Sequence, residues 1–126
     1  MKVMALDYGE KRVGLASTDE TGKFALPRAV LANDGTLLDQ VLAFKLKEGI
    51  EKVVIGESKN LDGSMNPIMA SVEEFRKTLE EKGVETVLHP EMFTTQEAIR
   101  LQGENSLVDA SAAALILKNY LDTNSS

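Results

Sequence analysis

Apolar positions follow two rhythms along this chain, and the switches between them lay out its elements. Residues 3–6 (VMAL) form an almost unbroken apolar run, the pattern of a strand covered on both faces. Residues 12–17 alternate instead, with Val13 and Leu15 on one face and the small Gly14 and Ala16 on the other. Such a small face lets a helix pack closely. Residues 24–31 read as a third strand, and Pro27 assigns it to an edge or a bulge. The rhythm then turns helical. Leu38, Val41, Leu42 and Leu46 share a stripe, and Gly49 ends it where a left-handed residue is favoured. Residues 52–55 (KVVI) return to a buried strand that stops at Gly56.

A loop, ESKNLDGSMN, leads into a helix that Asn66 caps and Pro67 opens. Its stripe is Met69, Val72, Phe75 and Leu79, and Gly83 closes it. Residues 85–88 form a fifth strand. Thr94-Thr95-Gln96-Glu97 is a capping box that opens a short helix. The last helix spans about residues 108–121 and turns Ala113, Ile116, Leu117 and Tyr120 inward. The order βββαβαβαα predicts an α/β fold. A three-stranded antiparallel meander is extended by parallel strands through helical crossovers, giving a mixed five-stranded sheet with helices on both faces. One domain covers residues 1–122, and 123–126 form a frayed tail.

At 126 residues the chain can bury one sizeable core without staples. It has no cysteine, which excludes disulfides and thiolate metal sites. Lys2 leads directly into strand residues, so no signal peptide fits, and no apolar run reaches membrane-spanning length. The expectation is a cytoplasmic protein. A net charge of −6 speaks against gripping nucleic acid by bulk charge, because phosphate affinity comes largely from Lys and Arg. Carboxylates that hold a metal, however, count as negative until the metal arrives.

Three acids stand where solvent is not their obvious fate. Asp7 ends the first strand, Glu91 follows the fifth, and Asp109 opens the last helix on the stripe of Ala113 and Ile116. Brought together they would repel one another, which a pair of Mg²⁺ or Mn²⁺ ions relieves while clamping a phosphodiester. Hard oxygen donors suit those ions better than zinc. Gly9 allows close backbone approach to a phosphate, and Lys11 and Arg12 add positive charge. Taken singly, each acid has a plainer reading: a turn at Asp7, a solvated loop at Glu91, a first-turn acid facing the helix dipole at Asp109. His89 has no second ligand nearby and reads as structural. The pairs Glu73–Glu74 and Glu80–Glu81 read as a solvated helix face.

With these residues assembled, the chain resembles the YqgF family, described as Holliday-junction resolvases or pre-16S rRNA nucleases. DYGEKRVGLA is similar to that family's D-x-G-x-K-R-[IV]-G-[IV]-A opening, and NDGT and VVIGESKNLDGS follow in family order. HPEMFTTQEA is similar to its D-E-R-[LF]-[ST]-T-x-E-A segment, and VDASAAALILKNYL to its V-D-x-x-A-A-x-x-I-L helix. The resemblance implies an RNase H-like fold, divalent metal held by Asp7, Glu91 and Asp109, and substrate contacts from the Gly9 turn with Lys11 and Arg12; Lys59 and Asn60 in the loop after the fourth strand are further candidate substrate contacts. It also implies endonuclease action on rRNA precursor or branched DNA, by a monomer or weak homodimer. The helix over residues 67–82 is the first place to seek an interface.

The chain departs from the pattern at Pro90 and Met92, which flank Glu91 in place of an acid and an Arg. Glu57 and Lys59 replace apolar residues, and the segment before Asp109 is short. Glu57, just past the fourth strand, is a candidate to replace the acid lost at Pro90. Two other classes compete. One is a nucleic-acid or ribosome-assembly binding protein without efficient chemistry. The other is an ATPase of the actin and sugar-kinase type, suggested by D-x-G. The ATPase reading lacks a second D-x-G and a G-x-x-x-x-G-K-[ST] loop.

Overall fold

The computed structural model describes residues 2–57, 68–90 and 106–124, with the side chains of 57, 90, 106–111 and 124 outside that description. In chain order the elements are β1 (Val3–Tyr8), β2 (Arg12–Thr18), β3 (Ala25–Ala32), α1 (Leu37–Glu48), β4 (Lys52–Glu57), α2 (Met69–Glu81), β5 (Glu85–Pro90) and α3 (Ser106–Asn124). The strands lie in the order β3-β2-β1-β4-β5. Both meander pairs are antiparallel, and β1–β4 and β4–β5 are parallel. This is the mixed sheet that the periodicity predicts. The expected cap at Asn66, the start at Pro67 and the capping-box helix at 94–97 lie outside the described residues.

Alternation along β1 divides the core in two. Met4 and Leu6 join Val13, Leu15, Val53 and Ile55 beneath α1 and α2. Val3 and Ala5 join Ala16 and Val54 beneath Ala113, Ile116, Leu117 and Tyr120 of α3. The small face of β2 thus receives α3, as its Gly14 and Ala16 foretell. Thr18 is buried at the end of β2, where its hydroxyl accepts the Val3 amide at 3.1 Å.

Strand β3 is an edge strand with a bulge. Leu15 faces Ala29 and Ala16 faces Pro27, so Arg28 has no residue opposite it. The released side chain reaches α1. It donates to Ser17 Oγ at 3.3 Å, pairs with Glu48 at 3.2 Å and lies over the Phe44 ring.

Three local expectations are corrected. Leu46 is 84% exposed, because nine residues beyond buried Leu37 is two and a half turns and points away from the sheet. Phe24 precedes β3 and is 64% exposed. Helix α3 begins at Ser106 and continues through Asn124, beyond the expected end of the domain; Thr123 Oγ1 donates to the Asn119 carbonyl at 2.8 Å. Gly49 does adopt φ 67°, and its amide and that of Ile50 bond back to Leu46 and Lys45. Helix α2 turns Met69, Val72 and Leu79 into the core, so it offers no large apolar face for a partner. The exposed large apolar side chains among the described residues are Phe24, Leu26 and Leu46.

Ala113 has no exposed surface where α3 meets the sheet. Enlarging it in Ala113→Leu is expected to destabilise the fold by about 1–3 kcal/mol through overpacking, read from urea midpoints.

Candidate active site at the end of the central strand

Asp7 occupies a particular point on the sheet. The β1–β4 ladder closes at Leu6–Ile55, while the β1–β2 ladder runs on through Asp7–Gly14 to Tyr8–Val13. The central strand is therefore held on one side and released on the other where its carboxylate emerges. By alternation Asp7 shares the face of Val3 and Ala5, the face that α3 covers. It is half-buried, and Gly14, opposite it on β2, contributes no side chain.

The following turn is built around backbone contacts. The Gly9 amide donates to the Arg12 carbonyl at 3.0 Å. A Cβ on Gly9 would lie 2.5 Å from that same oxygen, so the turn requires glycine. Lys11 and Arg12 are exposed on it. Asn33, at the far end of the meander, fastens the turn from outside. Its Nδ2 donates to the Gly9 carbonyl at 2.8 Å and its amide to the Lys11 carbonyl at 2.9 Å. Its Oδ1 accepts the Tyr8 hydroxyl at 3.4 Å. Sequence reasoning did not single Asn33 out. The signal was its position at the head of NDGT, directly after a strand.

The remaining predicted residues are placed unequally. Asp109 is the fourth residue of α3 rather than its first, on the helix that covers the Asp7 face. Ala112 and Ala113 are fully buried, the close approach expected of them. Glu57 closes β4 in register with Pro90 of β5. Glu91, Lys59 and Asn60 lie outside the described residues. Among the described residues no three His, Asp or Glu side chains form a metal-binding group.

His89, read from the sequence as structural, packs against α3. It meets the Tyr120 ring edge-on at 5.9 Å, and burial pushes its imidazole below the usual value. Tyr120 also accepts a hydrogen bond from Lys52 Nζ at 3.2 Å. Lys52 pairs with Glu85 at 3.1 Å, and those two contacts, Glu85 foremost, raise its ammonium pKa. The glutamates of α2 are less idle than expected. Arg76 bridges Glu73 and Glu80, and Thr86 donates to Glu80 at 2.7 Å.

A mixed sheet in this order, with α1 and α2 on one face and α3 on the other, defines an RNase H-like fold. It superimposes on Thermus thermophilus RuvC with a TM-score of 0.63 at 18% identity, covering 98% of this chain and 95% of that one. The fowlpox virus resolvase, solved with Holliday junction DNA, gives 0.61 at 12% identity over the whole of both chains. The chain belongs to the RuvX family, described as Holliday junction resolvase, whose model matches residues 1–123. That is the family its motifs resemble. Relatives include proteins named "Putative pre-16S rRNA nuclease" from Shouchella clausii, 37% identical over 99% of this chain and 97% of theirs. Another, from Anaplasma marginale, is 35% identical over 96% of this chain and 84% of its own length.

Gly9→Ala is expected to destabilise the protein by about 1–3 kcal/mol through the collision with Arg12, the scale of stored backbone strain. Gly35→Ala, which meets nothing within 4 Å, should leave the urea midpoint in place. His89 sets a pH dependence of known sign. Its folded pKa lies below its unfolded value, so the unfolded state takes up the proton first as pH falls. Stability is full above about pH 6.5 and declines below it. Replacing His89 with Phe should flatten that decline in urea titrations between pH 7.5 and 5.5.

Proposed function

We propose that this chain is a divalent-metal-dependent endonuclease whose Asp7, Glu91 and Asp109 form one acidic centre, and that its substrate is the 5′ end of pre-16S rRNA. The observation that carries the reading is Asp7 itself. A half-buried carboxylate stands at the open end of the central strand, opposite a glycine, on the face covered by the helix that contains Asp109. A carboxylate at the end of a buried strand is a position from which a bound cation can be held.

The donors suit a hard ion. They are carboxylate oxygens, no thiol exists in the chain, and His89 is turned to Tyr120. Mg²⁺ or Mn²⁺ bound there would supply Lewis acidity toward the phosphodiester and a water of lowered pKa. The chain's own residues do the positioning. Asp7 orients what binds at the strand end. Lys11 and Arg12 attract the phosphate backbone, and the bare Gly9 lets the backbone approach it. Asn33 keeps that turn in place through the Gly9 and Lys11 carbonyls.

Supporting the choice of RNA are the relatives' names; the family description and the solved neighbours speak for junction DNA. Both substrates therefore belong in one assay. With Mn²⁺, cleavage of an rRNA precursor is expected, and Asp7→Asn should lower it by about 100-fold or more. The variant's thermal midpoint should not fall. Cleavage undiminished by that change overturns the site, and preference for a four-way DNA junction over the precursor overturns the substrate.

A further inference from the structure

A second feature opens on the other face of the sheet, a cleft of about 320 Å³ between α2 and the start of α1. Its floor is aromatic. Tyr8 and Phe75 place their rings 5.4 Å apart at 47°. Its rim carries Asn33, Ser71, Glu74 and Thr78. Its volume falls at the lower end of small-ligand sites, roughly 300–1,000 Å³.

The chemistry of the wall selects the occupant. Among the described residues the charged side chains lining the cleft are Asp34 and Glu74, both acidic, which disfavours a phosphate there. The Asp34 carboxylate already accepts the Thr36 amide at 2.8 Å and the Thr36 hydroxyl at 2.6 Å. Glu74 is exposed on α2 and remains as an acceptor toward the cleft. An aromatic floor under a carboxylate suits a flat, uncharged ring that carries an amino group.

The cleft also adjoins the candidate phosphate turn. Tyr8 follows Asp7 directly, and Asn33, on the rim, is the residue that holds the Gly9 carbonyl. A strand whose phosphate lies at Gly9–Arg12 thus has a neighbouring base within reach of the Tyr8–Phe75 floor. We propose that this cleft receives one unpaired nucleobase of the substrate strand, stacked on Phe75 and Tyr8 and read through its amino group by Glu74. The proposal rests on the nuclease reading above, and it adds a preference for cytosine, adenine or guanine over uracil next to the bound phosphate. A base still paired in a duplex cannot enter, so the site selects single-stranded or splayed nucleotides.

The test uses the full chain in EDTA, so that cleavage does not intervene, with a fluorescent oligouridylate RNA and the same RNA carrying one cytidine. Anisotropy should show roughly tenfold tighter binding of the cytidine-containing RNA, the scale of one hydrogen bond from an amino group to a carboxylate. Glu74→Gln, on an exposed helix position, should abolish the difference, whereas Lys11→Ala should weaken both RNAs equally and lower the salt dependence. Phe75→Ala should also abolish it, with urea unfolding recorded to show that the variant is folded. Equal binding of the two RNAs by the wild type, together with weaker binding in Lys11→Ala, overturns the base site and leaves the nuclease reading standing. No binding of either RNA by the wild type, and no cleavage of precursor or junction with Mn²⁺, overturns both.

Discussion

Burial on both faces makes the first strand the most restrictive element of this molecule. From Val3 to Leu6 every side chain is enclosed, by α1 and α2 on one face and by α3 on the other. A charge within that run would be removed from water with nothing to offset it, a cost of several kcal/mol. The carboxylate can emerge only at Asp7, where β4 has left the ladder and Gly14 contributes no side chain. The two cores therefore do more than stabilise the sheet. They fix the one place along the central strand at which acid chemistry is tolerated.

The turn beyond Asp7 shows how a short segment is made rigid without a core of its own. One internal hydrogen bond forms it, and Asn33 adds two more from a residue 24 positions beyond Gly9. Three other cations tie elements of the fold together. Arg28 joins β3 to α1 through Glu48, Lys52 joins β4 to β5 through Glu85, and Arg76 ties α2 to its own glutamates. A net charge of −6 leaves the chain as a whole poorly suited to holding a phosphate backbone by bulk attraction.

Much of this was legible in the sequence because the two rhythms of apolar residues are unambiguous where burial is two-sided. The unbroken run of β1, the small face of β2 and the proline of β3 all had a single structural outcome. Leu46 and Phe24 misled because an apolar residue near the end of a stripe carries no mark of which way the last turn points. The beginning of α3 was misplaced because polar Ser106 belongs to the helix although the apolar pattern starts after it. For Asn33 the sequence offers only its place at the head of NDGT, and its bonding role lies beyond that. Its partners are backbone atoms across the meander, and a hydrogen bond to a carbonyl leaves no trace in the composition of either segment. The candidate acids rest on position and resemblance together; position alone leaves each with a plainer alternative.

Pro90 was first noticed for the carboxylate it displaces, yet it lies in β5, one rim of the sheet, and Pro27 lies in β3, the other. A proline has no amide hydrogen to offer, so each rim lacks a donor that a stacking neighbour would need. Together with the bulge at Arg28, this makes both borders poor templates for strand-by-strand growth. Two ring-closed residues at opposite rims thus work against one copy of the sheet adding to another.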